Sequence, residues 1–537
     1  MKTTKNPRNR RRKPRATGGT GRGFTCAIIL VCLLGLWLRF PALDQKPLHH
    51  DEANQAVKFG QLLATGDYQY DPVDHHGPTL YYLTLPLAWL KGEKSLVDID
   101  EWTIRLVPLA FGVGLLWLPI LARGALGHVG VLVAALLMAT SPIFTYYSRY
   151  YIQEMLFVFF TLGALVSLWR YQTSKQVSWA VWFGLSCGLM HATKETCVLS
   201  FAAMVAGGGV ILFEPWRKAG RLDLRLLGQP SAAAWALRGW IIVALVFFSS
   251  FFTHWEGVTK ALGAYFHTVD RAGGQGHEKL FSYYWSILFN YSEEGYSCSE
   301  LPLLLTGLLG IVFAFVEKAN NPRCRAARFL AVYSLILWFI YGLIPYKTPW
   351  LALNFLLGFA LLGGHGIDRL LQVVRFNDAR LAISLLMAWS LFAAHGQARK
   401  ATSAYYAADM RNPYAYVHTT DDFLKLVGEV KSLSVHHKLG TGSRIKIFTT
   451  SETEHWPFPW YLREYERIKY YVGIPEDGYL DAEFIVVHPD LKEELLKRLS
   501  KEYYDPYTDY SLREGIILNL IYGQGIRDDF IEAETAP

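Results

Sequence analysis

No aspartate or glutamate occurs before Asp44, although nine lysines and arginines fall within residues 1 to 22. Such an acid-free arm, broken by Pro and Gly, lacks the apolar content to fold, and its charges hold an N-terminus in the cytoplasm. No small-residue cleavage site follows the first apolar run, which argues against a cleaved signal peptide. Charge is scarce overall: 18% of the 537 residues are charged and 52% hydrophobic, with a mean hydropathy of +0.16. That balance excludes an ordinary soluble enzyme, and the net charge of +7 is a topology signal, not a nucleic-acid-binding face. The six cysteines are scattered without a CxxC or CxxxH spacing, so neither a disulfide framework nor a structural zinc site is expected. No Walker-type or GxGxxG sequence is present to support nucleotide binding.

What the chain does have is long apolar runs. A bilayer core about 30 Å thick requires about 20 apolar residues in a helix. Runs near that length lie at 24–40, 105–122, 128–145, 154–169, 177–192, 197–213, 235–252, 301–316, 328–345, 350–366 and 380–396, about eleven spans. The alternate connections carry Arg123, then Arg170 and Lys175, then "EPWRKAGRLDLR", "EKANNPRCRAAR" and "DRLLQVVRFNDAR", the cationic excess of cytoplasmic loops. An odd count puts the C-terminus outside. The expected organisation is a basic cytoplasmic arm at 1–22, a transmembrane helix bundle at 23–396 with a long first external loop at 41–104, and a small extracytoplasmic α/β domain at 397–537. In that last part "RIKIFTT", "RIKYYVG" and "EFIVVHP" predict strands, and "DDFLKLVGEV" and "LKEELLKRLS" predict helices.

Ionisable residues gather at the outer ends of the spans. The stretch "LHHDEANQA" opens the first external loop with His49, His50, Asp51 and Glu52, and "DHHGP" places His75 and His76 later in it. That loop also predicts two helices on the outer surface, "DEANQAVKFGQLLATG" and "TLYYLTLPLAWL". Arg105 starts the second span; "YYSRYYIQE" holds Arg149 and Glu154, "HATKET" holds Lys194, "THWEG" holds His254 and "IPYKTPW" holds Lys347. All lie at one depth, whereas a transporter keeps functional polar groups near the midplane on interrupted helices. Each has a plainer explanation alone: cations at span ends snorkel, and carboxylates at loop starts cap helices or are solvated. Their coincidence at one level favours a site.

"HHDEA" after the first span, "HHGP" in the same loop and "SRYYIQE" after the third resemble the dolichyl-phosphate-mannose protein mannosyltransferase group of the GT-C glycosyltransferase superfamily, and most closely a flippase-activity-associated branch with DE and HGP motifs. The resemblance implies a multi-pass enzyme of the cell membrane that moves a sugar from a polyprenyl phosphate to an acceptor on the outer face. In it Asp51 and Glu52 match the acidic dipeptide and Glu154 the second acidic position. Arg149 matches the arginine ahead of it, and Lys194 sits where a cation facing the lipid phosphate is expected.

The chemistry asks for the same residue types. Displacement at an anomeric carbon needs a carboxylate to take the acceptor proton and positive charge on the departing phosphate. Arg149, Lys194 and Lys347 are the candidates for the phosphate. His50, His75, His76, Arg105 and His254 are candidates for positioning or sugar contact. The loop histidines leave room for a divalent ion near Asp51 that the chemistry does not require. Trp456 and Trp460, in "HWPFPWYLREY", could stack on a sugar or pack the outer domain. The expected function is an inverting, polyprenyl-phosphate-sugar-dependent glycosyltransferase with an acceptor that is a protein, a glycolipid or a lipid-linked glycan. The alternatives are a flippase or transport-associated protein that binds the same lipid without chemistry, and a membrane scaffold.

Overall fold

The structure, a computed structural model, describes residues 21–73, 75–220, 228–273, 278–317 and 321–535. The basic arm expected over residues 1–22 therefore lies outside the described residues up to residue 20. The helices run α1 Gly21–Arg39, α2 His50–Thr65, α3 Thr79–Lys91, α4 Glu101–Trp117, α5 Arg123–Thr140, α6 Pro142–Tyr147, α7 Glu154–Ser174, α8 Val177–His191, α9 Cys197–Ala219, α10 Pro230–Phe248, α11 Glu256–Ala272 and α12 Tyr283–Leu288. A hairpin of β1 Tyr291–Glu293 and β2 Tyr296–Cys298 precedes α13 Leu301–Val316, α14 Pro322–Leu343, α15 Leu353–Val373 and α16 Asn377–Ala401.

Each of the eleven apolar runs lies on this helical framework. Among the described residues, seven helical stretches are long and apolar enough to cross a membrane by length and composition, with the 40-residue Glu101–Thr140 stretch counted as one. This is a multi-pass membrane protein, mainly α. Its centre is α15, buried without a break from Leu353 to Asp368. Small residues let its neighbours approach: a Cβ on Gly364 would sit 2.1 Å from the Gly130 carbonyl of α5, and one on Gly310 of α13 would sit 2.0 Å from the Leu362 carbonyl. Close backbone contact of this kind is how helices associate where no hydrophobic effect drives them together.

The first loop holds both expected helices. Of the apolar face that its spacing predicts, Ala53, Ala56, Val57, Phe59 and Leu63, α2 buries Ala53, Ala56 and Phe59 against the bundle and leaves Val57 and Leu63 half-buried. It ends at Gly66, where a φ of 68° closes the helix with an amide bonded to the Leu62 carbonyl.

The C-terminal region follows as α17 Asp421–His436, β3 Arg444–Thr449, α18 Phe458–Tyr461, β4 Arg467–Val472, β5 Phe484–Val487, α19 Pro489–Arg498, β6 Tyr503–Tyr504, β7 Asp509–Arg513, β8 Ile516–Gly523 and α20 Gln524–Thr535. The strand order is β4-β3-β5-β8-β6, with β7 also on β8; β3 is parallel to β4 and β5, and β8 is antiparallel to β5, β6 and β7. Side chains alternate across it: Ile445, Ile447, Phe484 and Val486 pack with Phe423, Leu426 and Val430 of α17, while Phe448, Ile485 and Val487 pack with Leu495 of α19. The boundary expected at residue 396 falls inside α16. Tyr414 and Ala415 beyond it belong to the core of the bundle, so α17 is the first element of the sheet region.

Candidate active site

The four residues of "HHDE" turn to four different neighbours. His49 caps α2: its Nδ1 accepts the Asp51 amide at 3.0 Å, and its Nε2 donates to the Tyr416 carbonyl at 3.1 Å. Glu52 returns the favour by accepting the His49 amide at 3.1 Å, a reciprocal cap. The Glu52 carboxylate is fully buried. It accepts Lys46 Nζ at 2.6 Å, Arg105 Nε and Nη2 at 2.9 and 3.0 Å, and the Tyr151 amide at 3.0 Å. The remaining Arg105 hydrogens go to the carbonyls of Leu43, Lys46 and Pro47. Burial alone would raise the Glu52 acid, but Arg105 and Lys46 outweigh it and hold the carboxyl well below the usual range.

Asp51 cannot share that niche, because adjacent helical residues point about 100° apart. Its side chain is 41% exposed. Burial works against its charge, yet His49, His50, His76 and Lys194 together hold it below the usual aspartate range, ionised at neutral pH. The last two of these belong to a second cluster. Lys194 pairs with Glu154, the first residue of α7. His76 Nδ1 lies 2.8 Å from Glu195 Oε2, and the Tyr70 hydroxyl donates to Glu195 Oε1 at 2.9 Å. Burial opposes the Glu195 charge, and His76 and Tyr70 reverse that and draw it down to about 2. "HHGP" and "HATKET" meet through backbone: a Cβ on Gly77 would lie 2.3 Å from the Ala192 carbonyl. The Thr79 amide donates to that same carbonyl at 3.2 Å, and Thr79 Oγ1 lies 2.8 Å from Thr193 Oγ1. Glycine at 77 is thus what lets His76 reach Glu195.

The structure brings together Asp51, His76, Lys194 and Glu154 from the sequence-predicted set, and sends others elsewhere. Arg149 does not join them: its guanidinium donates to the carbonyls of Arg39, Pro41 and Ala42, and the charges acting on it are those of Arg105, Glu52 and Asp44. The expected phosphate fork instead ties the end of α1 to the loop before α7. Lys347 donates to the carbonyls of Lys279 and Ile344, so it too is committed to backbone. Arg105 serves Glu52. His254 pairs with Asp67, and His75 Nε2 lies 2.7 Å from the Tyr68 hydroxyl. Trp460 is fully buried and donates from Nε1 to Glu101 at 3.1 Å; it has no face to offer a sugar. The Trp456 ring lies 6.1 Å from the His50 ring.

Sequence reasoning did not single out Lys46, Glu195, Tyr70 or Arg513 as site residues. Glu195 stood beside Lys194 in "HATKET" and was within reach. Lys46, between Gln45 and Pro47, carries no local mark of burial. Among the described residues no three His, Cys, Asp or Glu side chains are grouped to hold a metal ion.

Residues 29–255 match the model of the dolichyl-phosphate-mannose-protein mannosyltransferase family. The chain resembles that family and has a GT-C fold. ArnT from Cupriavidus metallidurans, solved with undecaprenyl phosphate, superposes with a TM-score of 0.58 at 14% identity, over 92% of this chain and 98% of that one. The apo oligosaccharyltransferase of Archaeoglobus fulgidus gives 0.56 at 12% identity, over 90% and 69%. AglB from the same organism, in complex with an inhibitory peptide and a dolichol phosphate, gives 0.55 at 11% identity, over 96% and 77%. No curated protein matches. The mannosyltransferase match contains Asp51, His76, Glu154, Lys194 and Glu195, whereas Lys347, Trp456, Trp460 and Arg513 lie beyond it.

Proposed function

We propose that the protein is a membrane glycosyltransferase that takes a sugar from a polyprenyl-phosphate donor and transfers it, with inversion, to an acceptor on the extracytoplasmic face. One observation carries the reading: Asp51, an accessible carboxylate, stands within electrostatic reach of a lysine, Lys194, at one end of the helix bundle. The acceptor hydroxyl oxygen attacks the anomeric carbon as the bond from that carbon to the phosphate oxygen breaks. The hydroxyl proton goes to Asp51, and the lipid phosphate leaves with the electron pair, its charge met by Lys194. One base and one displacement give inversion. Glu154 holds Lys194 in place, and Glu195 with Tyr70 does the same for His76. The lipid phosphates bound by ArnT and AglB support a donor of this class.

The side of the membrane follows from the cationic bias of the alternate loops, which places the "HHDE" end and the sheet region outside. Cysteines at Thr65 and Thr441 are then both labelled by an impermeant reagent in intact cells; labelling at only one of them breaks the topology. The activity is tested with purified protein in detergent and a panel of synthetic polyprenyl-phosphate sugars. Sugar transfer that depends on the lipid phosphate is the expected result. No turnover with any donor, together with donor-dependent flipping in vesicles, would replace the enzyme by a lipid-linked-sugar transporter.

A further inference from the structure

His50 is held almost entirely by the distant sheet region. Arg513 Nη1 lies 3.2 Å from His50 Nδ1, and the same guanidinium donates from Nη2 to the Thr453 carbonyl at 3.1 Å. Trp456 flanks the ring from the same region. An arginine only donates, so His50 Nδ1 carries a lone pair, and the ring is neutral with its proton on Nε2. Burial, with His49 and then Arg513 adding to it against the pull of Asp51 and the Thr453 backbone, pushes His50 down to about 4, which agrees with a neutral ring.

Local structure aims Arg513 at this point. β7 and β8 are joined through Glu514 and Gly515, the latter at a φ of 78°, and the ladder shifts register between Ser511 and Arg513. A bulge beside a hairpin turn re-aims the side chain it carries. The charge is also costly where it stands: Arg513 is 7% exposed, and the carboxylates acting on it, Glu454 and Asp51, do so without a direct ion pair. A neutral donor would fasten the sheet region as well without burying a cation. A cation makes sense beside a carboxylate that has to stay ionised.

We infer that Arg513 is a positioning residue of the transfer site: by clasping His50, it fixes the first turn of α2 and the carboxylate of Asp51, so that the base is set only when the sheet region is docked. The inference rests on the glycosyl-transfer reading.

A double-mutant cycle on full-length protein tests it, using the polyprenyl-phosphate sugar that the wild type turns over. Arg513→Met and His50→Phe should each lower turnover about tenfold and leave the donor KM within about twofold, and the double variant should be no worse than either. Arg513→Lys should recover part of the loss. Additive losses, unchanged turnover or an effect confined to donor KM would each overturn the positioning role. A second readout needs no activity: in protein labelled with ¹⁵N-histidine, His50 should show one tautomer, protonated at Nε2, and Arg513→Met should mix the two. An unchanged tautomer overturns the clasp. Absence of transfer by the wild type defeats the glycosyl-transfer reading instead, and the spectra then judge the clasp alone.

Discussion

Asp51 and Glu52 are chemically almost the same residue, one peptide bond apart, and the two sides of α2 they face could hardly differ more. The Glu52 side is closed: two cations and two backbone amides satisfy a carboxylate with no exposed surface. The Asp51 side is open, and Lys194 and His76, which act on its charge, have carboxylate partners of their own. A fully compensated charge has nothing left to offer a ligand. An accessible charge beside a pre-oriented lysine does, and its own position depends on the neighbours that keep the first turn of α2 in place.

The largest effect that separates the two sides is on folding. Glu52→Gln leaves Arg105 and Lys46 buried without their carboxylate, a loss of roughly 3–5 kcal/mol, read as collapse of the thermal transition or of folded yield. Asp51→Asn should change stability by less than about 1 kcal/mol. Because the Glu52 acid is held far below its ordinary value, its stabilisation is complete above the unfolded carboxyl pKa of about 4.3 and fades only as pH falls through the lower folded value. Acid unfolding of the Glu52→Gln variant should therefore lack that component.

Next comes turnover. Asp51→Asn keeps size and removes basicity, so transfer should fall by roughly 10²-fold or more while polyprenyl-phosphate binding persists. Full activity in Asp51→Asn would make the open side merely solvated and erase the contrast. Lys194→Met should weaken lipid-phosphate binding by about tenfold or more, measured with a short-chain polyprenyl phosphate. Arg149→Ala should instead reduce folded yield with donor affinity little changed in what remains, since its hydrogen bonds go to the carbonyls of Arg39, Pro41 and Ala42.

Much of this was legible in one sequence because the bilayer writes in a coarse code. Runs of about 20 apolar residues locate helices whatever their neighbours are, and the amphipathic spacing of Ala53, Ala56, Val57, Phe59 and Leu63 located α2. The strands β3, β4 and β5 showed as apolar, β-branched runs. β7 and β8 did not, because "LREGIIL" turns on Glu-Gly, a weaker hairpin signal than Asn-Gly or Asp-Gly. The site was half legible for a related reason. Residue type and depth mark Asp51, His76 and Lys194 as candidates, but whether an arginine meets a phosphate or three carbonyls is decided by tertiary packing. Nothing local tells Arg149 from a ligand-binding arginine, or links His50 to Arg513, 463 residues away.

The smallest effect sharpens the comparison with a third carboxylate that has neither solution. Glu300 is buried at the start of α13, accepting the Ile143 amide at 2.8 Å and the Tyr414 hydroxyl at 3.3 Å. These bonds, and one from Ser141, favour the charged form. Burial outweighs them and pushes the acid up to about 7. The folded state therefore keeps a proton that the unfolded chain has already released, so Glu300 lowers stability progressively as pH rises from about 4.3 to about 7, beyond which the cost is constant. Glu300→Gln retains an acceptor for the Ile143 amide and removes the titration. It should match the wild type in thermal unfolding near pH 5 and exceed it by on the order of 1 kcal/mol near pH 8.5. A variant less stable than wild type at both pH values would mean that Glu300 has a cationic partner, as Glu52 does. The ordering of the three carboxylates, compensated, accessible and neutralised, would then need only two classes.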